Sequence, residues 1–134
     1  MVAIGASTGG PKALATLLAG LPAGFPAAVV IVQHLDSHFT AGLAEWLDQY
    51  TPLPVAALSG TARLAPGKVW VAARAEHLVF GEGGSLGWSA RWPELACRPS
   101  IDVLCDSLAR FPSWRGCGVL LTGMGRDGAR GLKL

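Results

Sequence analysis

Charged residues are scarce in this chain of 134 residues: lysine, arginine, aspartate and glutamate together make up 15%. The 11 basic and 9 acidic residues are scattered and leave a net charge of +2, so nothing favours a nucleic-acid-binding surface. No apolar run approaches the roughly 18 residues of a membrane span, and the first residues lack the basic and apolar regions of a signal peptide. We therefore expect a cytoplasmic protein that does not insert into membranes.

Cysteine is scarce as well. Cys97, Cys105 and Cys117 are odd in number and form no C-x-x-C pair, which argues against a disulfide framework and against a zinc site of the usual spacing. We expect three buried, reduced thiols, no bound metal and no cofactor.

Hydrophobic residues, by contrast, reach 51% of the chain. This proportion suits a single domain over residues 1–134 with a parallel sheet buried on both faces, because the strands of such a sheet are continuous apolar runs. Runs at residues 1–4, 27–32 and 116–121 predict buried strands, and helices are predicted at 11–18, at 38–49 with Ser37 as cap, and at 101–110 with Ser100 as cap. Short runs at 68–72, 76–80 and 85–88 predict an antiparallel excursion.

The segment GASTGGP, residues 5–11, joins the first predicted strand to the first helix. It contains G-x-S-x-G, the nucleophile-elbow pattern, with Ser7 beside a helix N-terminus that favours a developing negative charge. A P-loop is excluded because Pro11 interrupts it and no Ser or Thr follows Lys12. A dinucleotide fingerprint fails less decisively, because Ala6 and Ser7 stand where its second glycine is needed. Since the pattern is short, Ser7 is either a nucleophile or a turn residue.

A nucleophilic serine requires a base and an acid that orients the base. His34 follows the second buried strand directly, so it shares the carboxyl edge of the sheet with Ser7 and is the candidate base. His38 is interpreted as a surface residue and His77 as a strand or loop residue. Asp127 follows the last strand through a glycine-rich loop and should reach the same edge, either as the acid or as a turn residue.

Five motifs occur in one order along the chain: GASTGGP at 5–11, QH at 33–34, PG at 66–67 with HL at 77–78, RPSID at 98–102, and LTGMGRDGA at 121–129. Together they resemble the catalytic domain of the CheB-type chemotaxis receptor methylesterases. The resemblance implies a doubly wound, mostly parallel, Rossmann-like α/β domain with helices on both faces. It also implies a catalytic triad of Ser7, His34 and Asp127, with Thr8 and Met124 around the oxyanion.

The function implied by the resemblance is hydrolysis of glutamate methyl esters on the cytoplasmic helices of chemoreceptors, with deamidation of receptor glutamines as a second reaction. Most family members carry an amino-terminal receiver domain, and the family continues past residues 131–132. The resemblance therefore implies a catalytic domain without the receiver domain and without its C-terminal part. On that basis we expect a poorly anchored Asp127 and self-association through exposed apolar surface.

Two alternatives stay open. The chain is also compatible with a phosphate- or nucleotide-binding module, in which the first helix holds a phosphate and Asp36 reaches a ribose hydroxyl. The other alternative is a catalytically inactive remnant of the methylesterase fold.

Overall fold

The computed structural model describes residues 1–112 and 114–133. In chain order its strands are β1 (Val2–Ala6), β2 (Val29–Gln33), β3 (Val55–Leu58), β4 (Ala62–Arg63), β5 (Val69–Ala72), β6 (His77–Gly81), β7 (Ser85–Ser89) and β8 (Cys117–Leu120). The helices are α1 (Gly10–Ala19), α2 (Ser37–Asp48) and α3 (Ile101–Ala109), and short 3₁₀ turns lie at Glu82–Gly84 and Gly131–Lys133.

Five strands form a parallel sheet in the order β3-β5-β2-β1-β8, and β4, β7 and β6 form a separate antiparallel sheet in that order. Successive side chains of a strand point to opposite faces, so strands buried on both faces must be apolar throughout. Strand β2 follows this rule: Val29 and Ile31 pack with α1 and α2 on one face, while Val30 and Val32 pack with α3 and the antiparallel sheet on the other. The predicted doubly wound α/β fold is confirmed.

One strand lies where the sequence did not predict it. Residues 68–72 were expected in the antiparallel excursion, but β5 is inserted between β2 and β3 and is parallel to both. Val69 and Val71 are fully buried, so this short apolar run gains more from the interior of the large sheet than from an exposed hairpin. The antiparallel part is formed by β4, β6 and β7 instead.

Three local predictions also need correction. Strand β8 is not buried, because it is the edge strand of the described sheet and pairs there with β1 alone. The cysteines are free but not buried: Cys97 and Cys105 are half-buried and Cys117 is exposed on β8. Helix α2 is capped by Asp36 rather than Ser37, since the Asp36 carboxylate accepts the His38 N–H at 2.9 Å.

The predicted cap of α3 is correct, because the Ser100 hydroxyl accepts the Val103 N–H at 3.3 Å. Within residues 1–112 and 114–133, no helix has both the length and the apolar character needed to span a bilayer.

Candidate active site

Ser7 and His34 follow the paired ends of two neighbouring parallel strands. Ala6 and Gln33 are register partners, and the His34 N–H donates to the Ala6 carbonyl at 2.9 Å, so the two residues emerge side by side at the carboxyl edge. The Ser7 N–H donates to the Thr122 hydroxyl at 3.2 Å, which ties this turn to the segment after β8. In the described part of the chain the Ser7 hydroxyl makes no hydrogen bond to the imidazole, and such bonds are often long before substrate binds.

The turn that carries Ser7 differs from a strained nucleophile elbow. Ser7 does not have a positive φ; the left-handed residue is Gly9, at φ 74°, which is the N-cap of α1 and has no side chain to cap it. At the start of α1 the Gly10 N–H donates to the Ser7 carbonyl at 2.8 Å and Pro11 has no N–H, so the Lys12 N–H is the donor left open there within the described residues. This arrangement favours negative charge beside the serine.

His34 and Asp127 form the most direct contact of the site. His34 Nε2 and Asp127 Oδ2 are 2.7 Å apart, and 17% and 13% of the two side chains are exposed. Oδ2 also accepts the Ile101 N–H at 2.8 Å, while Oδ1 accepts the Ser100 hydroxyl at 2.6 Å and the Asp102 N–H at 3.1 Å. With four donors Asp127 is well anchored, so the expectation of a weakly held residue is wrong.

These contacts keep Asp127 ionised. Burial favours its neutral form, but the hydrogen bonds from His34, Ser100, Ile101 and Asp102 outweigh burial and lower the pKa of Asp127 to about 2. Two of the donors are N–H groups of the first turn of α3, where the positive end of the helix dipole also favours a carboxylate. An ionised carboxylate against Nε2 holds the imidazole proton on that nitrogen and leaves Nδ1 as the free base.

A close approach brings α3 to the site. A Cβ atom on Gly5 would lie 2.6 Å from the Cδ1 atom of Ile101, so only glycine at this position lets the start of α3 pack against β1. The next helical residue, Asp102, accepts the Gly131 N–H at 2.6 Å and fixes the segment that follows Asp127. The helix N-terminus and the loop after β8 are thereby held together around the Asp127 carboxylate.

Thr8 and Met124, which were predicted around the oxyanion, both lie at this edge. Thr8 follows Ser7 directly and is exposed. Met124 is 83% exposed, and its neighbour Gly123 lies close to Ser7: a Cβ atom on Gly123 would be 3.8 Å from the Ser7 Cβ. The structure thus brings the loop containing Met124 to the serine.

The other two histidines lie elsewhere. His38 is exposed and its Nδ1 contacts the Asp36 carboxylate at 2.7 Å, so Asp36 is engaged as the α2 cap. His77 is buried at the start of β6; its Nδ1 accepts the Ser100 N–H at 3.1 Å and its Nε2 lies 3.2 Å from the Trp92 carbonyl. One His77 nitrogen thus supports Ser100 and the other contacts Trp92, and of the three histidines only His34 contacts Asp127.

The model of the CheB methylesterase family matches residues 2–134. The chain belongs to the CheB methylesterase family. It is 55% identical over 135 residues to protein-glutamate methylesterase/protein-glutamine glutaminase 2 of Burkholderia lata, and 51% identical over 134 residues to the protein-glutamate methylesterase/protein-glutamine glutaminase of group 3 operon of Pseudomonas putida. These matches cover 99% and 100% of the chain but 39% and 40% of the relatives, so the chain spans about two fifths of their length.

A solved crystal structure also matches almost the whole chain. The crystal structure of the Thermotoga maritima CheB methylesterase catalytic domain matches with a TM-score of 0.86 at 35% identity, covering 98% of this chain and 73% of that one. The Rossmann-like α/β fold is therefore that of a CheB catalytic domain.

Reasoning from the sequence of this CheB family member missed a role for Gln33. Its side chain is only 4% exposed, and its Nε2 donates to the Ser7 carbonyl at 2.9 Å and to the His34 carbonyl at 3.2 Å. Gln33 Oε1 has no hydrogen-bond partner within the described residues and points at the start of α1, where a Cβ atom on Gly10 would lie 1.9 Å away. The sequence offered one sign of this role: Gln33 is a polar residue at the end of the otherwise apolar strand β2.

The contribution of Ser100 to the CheB site was also only partly foreseen. Sequence identified Ser100 as a helix cap, but its hydroxyl both accepts from Val103 and donates to Asp127. Nothing in the sequence pattern indicated that His77 would support its N–H from 23 residues away.

Cys97 lies beside the His34–Asp127 pair, with its sulfur within 4.8 Å of a ligand atom of each residue. Burial, and then the nearby Asp127 charge, raise the pKa of the Cys97 thiol, so it is protonated at neutral pH. Cys97 and Asp127 line a cleft of about 930 Å³, whereas Ser7 and His34 do not. This cleft therefore lies beside the CheB site and gives solvent a path to Cys97.

Proposed function

We propose that this chain is a serine hydrolase of the CheB type, which hydrolyses glutamate methyl esters on chemotaxis receptors to glutamate and methanol. The observation that carries the proposal is the 2.7 Å contact between His34 and an ionised Asp127, beside Ser7 at the same sheet edge. An oriented imidazole next to a serine is the arrangement that makes a hydroxyl nucleophilic.

In the proposed reaction Ser7 Oγ attacks the ester carbonyl carbon, and the hydroxyl proton passes to Nδ1 of His34. The tetrahedral intermediate then collapses, the carbon–methoxy bond breaks, and His34 returns the proton to the leaving methanol. A water molecule attacks the acyl-enzyme with the same base and releases glutamate. Asp127 stabilises the imidazolium in both steps without taking up a proton.

The oxyanion is proposed to lie between the start of α1 and the loop after β8. N–H groups near Thr8 and Met124 would stabilise it, and donors aimed at a developing charge contribute strongly to catalysis because they need no rearrangement. The exposure of Met124 leaves this side open to a large substrate such as a receptor helix.

Deamidation of receptor glutamines is proposed as the second reaction of the same site, because it differs only in releasing ammonia in place of methanol. The relatives named above carry both activities in their names. The proposed mechanism draws its nucleophile, base and orienting acid from Ser7, His34 and Asp127. The proposed partner is the cytoplasmic part of a receptor, and self-association of this chain stays a prediction.

Methanol release from a methylated receptor fragment tests the function. Ser7→Ala should abolish release and prevent labelling by a serine-directed phosphonate, whereas Ser59→Ala, which changes an exposed serine elsewhere, should leave both unchanged. If Ser7→Ala released methanol at the original rate, the serine mechanism would be wrong. A chain that is neither labelled nor active would instead favour the phosphate-binding module or the inactive remnant.

A further inference from the structure

Cys97 lies next to the His34–Asp127 pair but has no part in the proposed hydrolysis. One potential ligand atom from each of these three residues lies within 4.8 Å of the other two, and all three side chains are half-buried. They come from separate regions: the end of β2, the irregular segment before α3, and the loop after β8. An imidazole nitrogen, a thiolate sulfur and a carboxylate oxygen are the three kinds of ligand that zinc takes in proteins.

The dimensions of the cluster suit one ion after small side-chain movements. Zinc bonds of about 2.0–2.3 Å in tetrahedral geometry place neighbouring ligand atoms roughly 3.4–3.6 Å apart. This spacing falls between the 2.7 Å that separates His34 Nε2 from Asp127 Oδ2 and the 4.8 Å limit for the whole cluster. The ion would open the first contact by less than about 1 Å and draw the Cys97 sulfur inward.

The hydrogen bonds of Asp127 determine where an ion can enter. Its two oxygens already accept four donors, and three of these, from Ser100, Ile101 and Asp102, belong to the start of α3. The fourth donor, His34, is the one that an ion between the imidazole and the carboxylate would replace. The three donors from α3 would remain and would hold Asp127 as a ready-placed ligand.

We propose that His34, Cys97 and Asp127 form a zinc site with one open coordination position, and that zinc bound there switches the hydrolase off. On binding, the Cys97 thiol releases its proton to solvent and its sulfur bonds to zinc. His34 bonds through Nε2, so its proton moves to Nδ1. The charge of the divalent ion is balanced by one thiolate and one carboxylate, which suits a half-buried site.

Loss of activity follows from the position of the imidazole proton. Nδ1 is the nitrogen that would accept the Ser7 proton, and in the zinc-bound form Nδ1 already carries one. Binding of zinc is independent of the proposed hydrolysis, whereas the inhibition rests on it. The cleft lined by Cys97 and Asp127 is the path by which the ion would reach the site.

Binding is tested with the metal alone and without substrate. Zinc affinity is measured by competition with a chromophoric chelator for the unaltered chain, for Cys97→Ser, and for Cys117→Ser as a control that removes an exposed thiol on β8. We expect one zinc per chain, and Cys97→Ser should weaken binding by at least the roughly 10–100-fold that loss of a supporting partner costs. Cys117→Ser should bind as the unaltered chain does.

Cobalt substitution identifies the ligand atom. Bound Co²⁺ should show a thiolate-to-metal charge-transfer band that Cys97→Ser lacks, while Cys97→His should still bind zinc but give no such band. Thermal unfolding in EDTA establishes that each variant is folded. Equal zinc affinity in Cys97→Ser and the unaltered chain, or a cobalt complex without the band, would overturn the site.

Inhibition is measured as ester hydrolysis in zinc relative to the rate of the same variant in EDTA. Zinc should stop hydrolysis reversibly, and Cys97→Ser should need at least about tenfold more zinc for the same effect. If zinc inhibited both proteins equally, the inhibitory ion would lie elsewhere and the proposal would fall. If no variant hydrolysed the ester, the proposed function would fail, while the binding and cobalt measurements would still decide whether the zinc site exists.

Discussion

Replacement of Asp127 by asparagine should damage both folding and catalysis, because the same carboxylate accepts two N–H groups of the first turn of α3 and orients His34. The side chain accepts four hydrogen bonds, two at each oxygen. An asparagine has one oxygen and one NH₂ group, so in either orientation the NH₂ group faces the N–H of Ile101 or that of Asp102. A buried N–H without an acceptor costs about 1–3 kcal/mol.

The lowered pKa of Asp127 gives a separate estimate of how much the carboxylate contributes to the free energy of unfolding. A value lowered from its ordinary 3.8 to about 2 corresponds to about 2 kcal/mol of unfolding free energy at neutral pH. For a domain of this size, that loss should lower Tm by roughly 5–10 °C. Turnover should fall by up to about ten-thousand-fold, because the negative charge that stabilises the His34 imidazolium is removed.

The pH dependence separates this effect from a general packing defect. The pKa of Asp127 is lower in the folded than in the unfolded chain, so the unfolded state binds more protons between about pH 4 and pH 2, and stability falls as the pH falls through that window. The difference in unfolding free energy between the original chain and Asp127→Asn should therefore be full at pH 7 and shrink below about pH 4.

Urea unfolding from pH 7 down to pH 3 measures this difference, and ester hydrolysis at pH 7 measures the catalytic loss. Asp106→Asn is the matched control. Asp106 lies on α3 and forms an exposed ion pair with Arg110, so the substitution removes the same charge from a solvent-exposed position. It should change the free energy of unfolding by no more than about 0.5 kcal/mol. The reasoning would be refuted if Asp127→Asn and Asp106→Asn unfolded at the same urea concentration, or if the difference between Asp127→Asn and the original chain did not depend on pH.

Two further predictions concern the surroundings of the pair. Gln33→Ala removes the NH₂ group that donates to the Ser7 and His34 carbonyls and should lower kcat much more than it raises KM. A Cβ atom at Gly10 would displace the same amide, so Gly10→Ala should lower kcat as well, and the double variant should lose less than the two single losses combined because no amide is left to displace. Additive losses would show that the Gln33 amide is not the shared cause. His38→Ala, at an exposed side chain, should retain full activity and change stability by less than about 0.5 kcal/mol, and a loss as deep as that of His34→Ala in a folded protein would show that the wrong base was chosen.

The amino-acid sequence by itself predicted the features that depend on short stretches of chain. Continuous apolar runs indicated a parallel sheet covered on both faces, and GASTGGP indicated a strand-to-helix turn with Ser7 at its end. His34 and Asp127 could be placed at the same edge because each follows a strand, and the carboxyl ends of parallel strands meet there. These inferences needed only the period of the backbone and the chemistry of neighbouring residues.

Only the tertiary structure decided which distant residues meet. The insertion of β5 between β2 and β3, the support of Ser100 by His77, and the position of Cys97 beside the His34–Asp127 pair have no signature in local sequence. Asp127 shows the reason: its donors come from residues 25–27 and 93 positions away, and they converge only because packing of α3 against β1 brings that helix N-terminus to the sheet edge. A contact of this kind depends on how whole helices and strands pack against one another, so it cannot be predicted from the pattern of neighbouring residues.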